Sequence, residues 1–213
     1  MNEYHKILTV YTRDPETRYK YLIDGQFAKP EFEYLAGNNW VWTEKIDGTN
    51  IRVMWDGENV RFGGKSDKAQ IPATLISELQ NMFCADLLTQ EYPDTPMCLY
   101  GEGYGAKIQK GGGDYIPDGQ SFILFDIRIG DVWLERSNVE DIAGKLGIKT
   151  VPQVGYGSLN DAIELVRYGA MSDIAKVERI AEGIVARPAS ELLDRLGHRI
   201  ITKIKYKDFP RDA

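Results

Sequence analysis

The sequence predicts an α+β fold in which mixed, largely antiparallel sheets are flanked by helices. Three observations point there. Strand-like and helix-like segments are mixed along the chain, without the regular alternation that builds a doubly wound parallel sheet. Several extended segments are joined by turns of hairpin length, which suit antiparallel neighbours. Of the 213 residues, 43% are hydrophobic and 27% charged, enough apolar material for an ordinary core and too much for wholesale disorder.

The elements follow in order. Residues Trp40–Lys65 read as strands around tight turns. Ile51, Val53 and Trp55 share one face of an extended segment, and Asp56-Gly57 is a hairpin signal before Val60-Arg61-Phe62. Pro72 opens a helix whose Leu75, Ile76, Leu79, Met82 and Phe83 fall on one side. Met97–Tyr100, Ser121–Ile129 and Asp131–Glu135 are strand-like. Gly101-Glu102-Gly103-Tyr104-Gly105 reads as a loop holding an acid, and Gly111-Gly112-Gly113 as a flexible loop. Ser137 and Glu140 have capping-box spacing for a helix ending near Gly147, and Ser158 with Asp161 starts another. A strand at Gly183–Ala186, a short helix at Ser190–Leu196 and a final strand at Arg199–Lys207 complete the chain. No repeat or linker interrupts it, so residues 1–213 are expected to form a single domain.

Composition excludes several classes. There is no signal-peptide pattern and no apolar run near the roughly 20 residues of a membrane helix, which predicts a soluble, cytoplasmic protein without membrane contact. Cys84, Cys98, His5 and His198 give a zinc site or a disulfide framework almost nothing to work with, and two buried, reduced thiols are expected. No Gly-x-x-x-x-Gly-Lys-Ser/Thr is present, which removes P-loop chemistry. The net charge of −6 argues against gripping nucleic acid by bulk charge. A local patch would have to serve, and the C-terminal run Arg195, Arg199, Lys203, Lys205 and Lys207 is the candidate.

The chemistry-bearing residues begin with Glu44-Lys45-Ile46-Asp47-Gly48-Thr49-Asn50. A lysine at a strand end, just before an Asp-Gly turn, is placed to face a cleft. Once deprotonated, its amine can attack the α-phosphate of a nucleotide. Further along come Phe122-Ile123-Leu124-Phe125-Asp126, then Glu182-Gly183-Ile184-Val185, then Ile201-Thr202-Lys203-Ile204-Lys205. In the last of these the strand period of two puts Lys203 and Lys205 on one face. Paired lysines suit a triphosphate, carboxylates suit magnesium, and an aromatic ring suits a purine face.

In this order the motifs resemble the covalent nucleotidyltransferase superfamily of ATP-dependent DNA ligases, RNA ligases and mRNA capping enzymes, from about Trp42 to Phe209. Asn50, where DNA ligases typically carry arginine, is similar to the RNA-ligase branch. Lys65 stands where that branch often has arginine. The resemblance implies a nucleotidyltransferase (ligase catalytic) domain and an ATP-dependent RNA ligase that seals 5′-phosphate and 3′-hydroxyl ends. It further implies that Lys45 carries AMP, that Glu44 flanks the adenosine pocket and that Phe125 stacks on adenine. Asn50 and Lys65 would face the phosphates or the incoming 5′-phosphate strand. Asp47, Glu102 and Glu182 would hold Mg2+ (or Mn2+) through its waters, and Lys203 and Lys205 would bind the α-phosphate. ATP is the expected cofactor, and RNA or DNA ends or nicks with a 5′-phosphate are the expected partners. The chain ends four residues after Phe209, so no OB-fold or other C-terminal domain is expected, and a homodimer or partner protein could supply that surface. The alternatives are a minimal DNA nick-sealing ligase, a capping guanylyltransferase, or a non-catalytic nucleic-acid-binding module derived from a ligase.

Overall fold

A computed structural model describes residues 3–210. In chain order the elements are β1 (Leu8–Thr9), β2 (Tyr11–Arg13), β3 (Leu22–Phe27), α1 (Pro30–Tyr34), β4 (Trp40–Lys45), β5 (Thr49–Trp55), β6 (Val60–Gly63), α2 (Ala73–Met82) and α3 (Ala85–Glu91). They continue with β7 (Met97–Gly105), α4 (Gly112–Tyr115), β8 (Gln120–Ile129), β9 (Val132–Trp133), α5 (Arg136–Lys145), β10 (Gln153–Gly157), α6 (Leu159–Tyr168), β11 (Gly183–Pro188) and β12 (Thr202–Lys205). The fold is α+β, with both large sheets almost wholly antiparallel. None of the described residues forms a helix long and apolar enough to cross a membrane.

The chain divides into two compact units, each built from separate stretches of sequence. The first unit holds Asp47–Val151 with Ala175–Val177 and the start of the chain. Its sheet runs β6-β5-β7-β8-β9. Ile51, Val53 and Trp55 point to one face, where Leu99, Phe122, Leu124 and Ile127 join them under Leu75 and Leu79 of α2 and Val139 and Ile142 of α5. The hairpin at Asp56-Gly57 forms as expected. The Asp56 carboxylate accepts from the backbone N–H groups of Glu58 and Asn59, and Gly57 takes a φ of 102°.

Two glycine-rich stretches differ from their sequence reading. Residues 101–105 continue β7 instead of looping out, with Gly101 paired to Leu124 and Gly103 to Phe122. These glycines allow contact: a Cβ at Gly101 would lie 2.2 Å from the Phe122 ring, and one at Gly103 would lie 2.4 Å from Leu75 Cδ2. Gly112 opens the short α4, its backbone packed so closely on β7 that a Cβ would lie 2.0 Å from the Gly105 carbonyl oxygen. Close approach, not flexibility, explains both.

The second unit holds Lys6–Ile46, Pro152–Ile174 and the residues from Glu178 onward. Its sheet runs β1-β12-β11-β4-β10, with β1 parallel to β12 and the other pairs antiparallel; β2 and β3 form a separate hairpin. Trp40, Trp42, Ile184, Ala186 and Ile204 bury one face beside Leu159, Ala162, Ile163 and Val166 of α6. Ser158 and Asp161 close the capping box that starts α6.

Four expectations are corrected. Helix α5 starts at Arg136 with Glu135 as its N-cap, and Glu140 pairs with Arg136 one turn earlier instead of completing a box with Ser137. Residues 190–196 are not helical, because the Asp194 carboxylate draws the Leu196 and His198 N–H groups into a turn and also pairs with Lys29. The last strand is confined to β12 and passes into a 3-10 turn at Tyr206–Asp208. Cys98 is buried but Cys84, at the start of α3, is exposed.

Candidate active site

Strand register in the second unit brings together the residues that matter most. Lys45, Gly183 and Lys205 form one cross-strand row through β4, β11 and β12, and Thr43, Val185 and Lys203 form the next. Alternation sends Lys45, Lys203 and Lys205 to the face opposite Trp42, Ile184 and Ile204, away from the apolar core. Glu182, immediately before β11, meets Lys45 Nζ through one carboxylate oxygen and Lys205 Nζ through the other, each at 2.6 Å. Gly183 leaves the middle of the row bare. A Cβ there would lie 2.0 Å from the Ile204 carbonyl oxygen.

The electrostatics follow from this placement. Burial opposes ionisation of Glu182, but the two ammonium groups outweigh it and hold its carboxyl below the usual range. Lys203 is half-buried, and burial together with the neighbouring charges of Lys205, Lys45 and Arg13 pushes it down to about 8. Arg13, on β2, is a cation that sequence reasoning missed; it is anchored by Asp208 at 2.8 Å and by the Tyr19 carbonyl. Nothing in its local sequence marks it, since only the fold brings it near β12. The C-terminal basic run does not make one solvated face. Arg199 is buried against Glu191, while Lys205 belongs to the Lys45 row and Lys203 to the row beside it.

Glu44 lies on the opposite face of β4 from Lys45. Its carboxylate accepts from Ser172 Oγ and from the Asp173 N–H, and burial pushes its pKa up despite these bonds. Ser172 and Asp173 were also invisible in the sequence, because no pattern marks a loop that satisfies a buried acid.

In the first unit Asn50 and Glu102 are cross-strand partners on β5 and β7. The Asp47-Gly48 turn packs on them: a Cβ at Gly48 would lie 2.8 Å from Glu102 Cγ. The Asp47 N–H donates to Tyr115 Oη at 3.3 Å, and Gln109 Nε2 donates to the Gly48 carbonyl at 2.9 Å. Phe125 is the extra residue of a β-bulge where β8 shifts register against β7, and its ring meets that of Tyr4 edge-on at 5.0 Å. Tyr4 Oη in turn donates to Asp126. Lys65 is exposed in the loop after β6.

Among the described residues no three His, Cys, Asp or Glu side chains form a metal-ligating group. Glu182 already has both oxygens engaged by lysines. The Asp47 and Glu102 carboxylates are hard oxygen donors, and Asn50 Oδ1 is buried with no hydrogen-bond partner. That donor set suits a divalent cation that keeps its waters.

A sheet-borne lysine, paired to a buried acid and flanked by two more lysines, concentrates positive charge on one face of the second unit's sheet. The RNA ligase family profile matches residues 38–206, and the chain belongs to that family. Its fold is similar to that of Naegleria gruberi RNA ligase. A substituted form solved with ATP and Mn gives a TM-score of 0.64 at 21% identity, over 84% of this chain and 54% of that one. The form with PPi gives 0.62 at 22% identity, over 83% and 52%. This chain therefore spans about half the length of the Naegleria ligase. No curated protein sequence matches it.

Proposed function

We propose that the chain is an ATP-dependent RNA ligase that works through a lysyl-AMP intermediate on Lys45. The observation that carries this reading is the Lys45–Glu182–Lys205 row, with Lys203 one row away. Membership of the RNA ligase family supports RNA as the substrate. The Naegleria ligase was solved with ATP and Mn, which supports ATP and a divalent ion as cofactors. In this reading residues 1–213 act as one nucleotidyltransferase domain.

In the first step Lys45 Nζ attacks the α-phosphorus of ATP. A P–N bond forms, the bond to the β-phosphate oxygen breaks, and pyrophosphate leaves. The amine attacks only after its proton has passed to solvent and its ion pair with Glu182 has loosened. Lys203 and Lys205 hold the α-phosphate and offset the negative charge that grows there in the transition state. In the second step an oxygen of the RNA 5′-phosphate attacks the same phosphorus, and the Lys45 amine leaves. Lys65 and Asn50 orient that incoming phosphate. In the third step the 3′-hydroxyl of the other end attacks the 5′-phosphate phosphorus, the strand is sealed and AMP departs. Phe125 offers a ring face to adenine, and Glu44 orders the loop at Ser172 and Asp173. Asp47 and Glu102 would hold a divalent ion through its waters, and the ion would supply Lewis-acid charge neutralisation at the phosphates.

The test is incubation with magnesium and α-labelled ATP, or separately GTP, followed by denaturing electrophoresis. A covalent band from ATP that disappears in Lys45→Ala is expected. A band that persists in Lys45→Ala would sink the assignment, and a band from GTP alone would move the reading to capping.

A further inference from the structure

The loop that carries Lys65 is organised by a buried cation that the scheme above does not use. Arg52 lies two residues beyond Asn50 on β5 and is fully buried. Its partner on β6 is Gly63, where a Cβ would lie 3.0 Å from a guanidinium nitrogen, a tight contact that a side chain there would crowd. Arg52 Nε donates to the Gly64 carbonyl at 2.9 Å, and a terminal nitrogen donates to Asp67 Oδ1 at 2.7 Å. Gly64 packs under Ala69, and the Ala69 N–H returns to the Ser66 carbonyl at 3.1 Å. Lys65 is thus flanked on both sides by residues tied to one guanidinium, while its own side chain is exposed.

The chemistry of this pair points to positioning. The Asp67 side chain is 84% exposed, so its carboxylate stays solvated while it holds one end of the buried guanidinium. What the pair fixes is backbone direction. Lysine needs that help, because it is a point charge on a flexible stem and lacks the planar fork with which arginine sets phosphate geometry by itself.

We infer that Arg52, clamped from outside by Asp67, is a positioning residue for the RNA 5′-phosphate. Acting through Gly64 and Asp67, it holds the loop in the conformation from which Lys65 meets that phosphate. The inference rests on the ligase reading.

The experiment uses the full chain with Asp67→Ala, and Arg52→Lys as a second variant. Lysyl-AMP formation and AMP transfer from the adenylylated protein to a 5′-phosphorylated RNA strand are measured separately, alongside thermal melting. Asp67→Ala is expected to stay folded at the assay temperature, with some loss in melting temperature from leaving Arg52 without its carboxylate, and to form lysyl-AMP at the parent rate. Its KM for the RNA strand in the transfer step is expected to rise about tenfold, the scale of a misplaced binding group. Asp67→Glu should recover most of that loss, and Arg52→Lys should show it if the variant folds. In a Lys65→Ala background Asp67→Ala should cost nothing further, because both changes remove one interaction. Normal lysyl-AMP with unimpaired transfer in Asp67→Ala overturns the inference alone, as does a penalty that stays undiminished in the Lys65→Ala background. Failure of the parent to form lysyl-AMP overturns the ligase reading and this inference with it.

Discussion

The two units present their candidate residues by opposite means. In the second, register sets the strand neighbours of Lys45: Gly183 and Lys205 are in its cross-strand row, Lys203 sits one row away, and Glu182 bridges the row. In the first, Asn50 and Glu102 lie on strands, but Asp47, Phe125 and Lys65 occupy a turn, a bulge and a loop, where the regularity of the sheet breaks. Charges held by register cannot drift apart as a reaction proceeds, which is what stabilising a transition state requires. Groups on turns and loops can adapt, which suits recognition of a strand end. In the proposed ligase reading the phosphoryl chemistry falls to the row and substrate fit to the irregular sites.

Removing Glu182 tests the row most severely. Glu182→Ala would leave two half-buried ammonium groups adjacent without their shared counter-charge. Single-turnover labelling of Lys45 should slow by about 100-fold or more, the scale of losing one preorganised electrostatic partner. Glu182→Gln, which keeps the shape, should be nearly as slow if charge is what matters. Labelling at the parent rate in Glu182→Gln would break the assignment of chemistry to the row.

Next in size is the backbone beneath it. Gly183→Ala would force a Cβ to within 2.0 Å of the Ile204 carbonyl oxygen, at a φ of 152° that side chains avoid. A loss of about 2–4 kcal/mol in urea unfolding is expected, along with slower labelling. Gly113→Ala in the first unit has no atom within 4 Å to meet and should shift stability by less than about 1 kcal/mol. Equal effects at the two positions would mean that the row is no more tightly packed than a surface helix.

The difference between the units also explains what the sequence revealed. Register-held residues were legible because a period of two survives in the letters: Lys203 and Lys205 share a face, and Ile51, Val53 and Trp55 share another. Capping of α6 was legible for the same reason, as its partners stand three residues apart. Contacts between distant stretches were not. Residues 101–105 look like a loop because their glycines answer to Phe122 and Leu75, which the chain brings close only when folded. Residues 190–196 look helical because nothing local announces that Asp194 will serve Lys29 and two backbone N–H groups. Arg13 and Arg52 stand in unremarkable strands, and the two compact units leave no local mark because each is assembled from non-contiguous segments.

The smallest expected effect is also the most specific to the row. Lys203 has its pKa pushed down to about 8 by burial and by Lys205, Lys45 and Arg13, from an ordinary value of 10.5. Between those two values the unfolded chain holds a proton that the folded chain has released. By linkage, the contribution of Lys203 to stability then rises with pH across that window and is unfavourable below it. Lys203→Met removes the charge while keeping the stem. At pH 7 the variant should therefore be more stable than the parent in urea, and the gap should close as pH approaches 10. Taking the difference between the two proteins cancels the tyrosines that titrate in the same range. Nucleotide binding by the parent should weaken over the same interval, since an uncharged Lys203 offers a phosphate less. A gap that does not change with pH would show that Lys203 keeps its proton throughout, and that the crowding of cations along β12 is milder than the register implies.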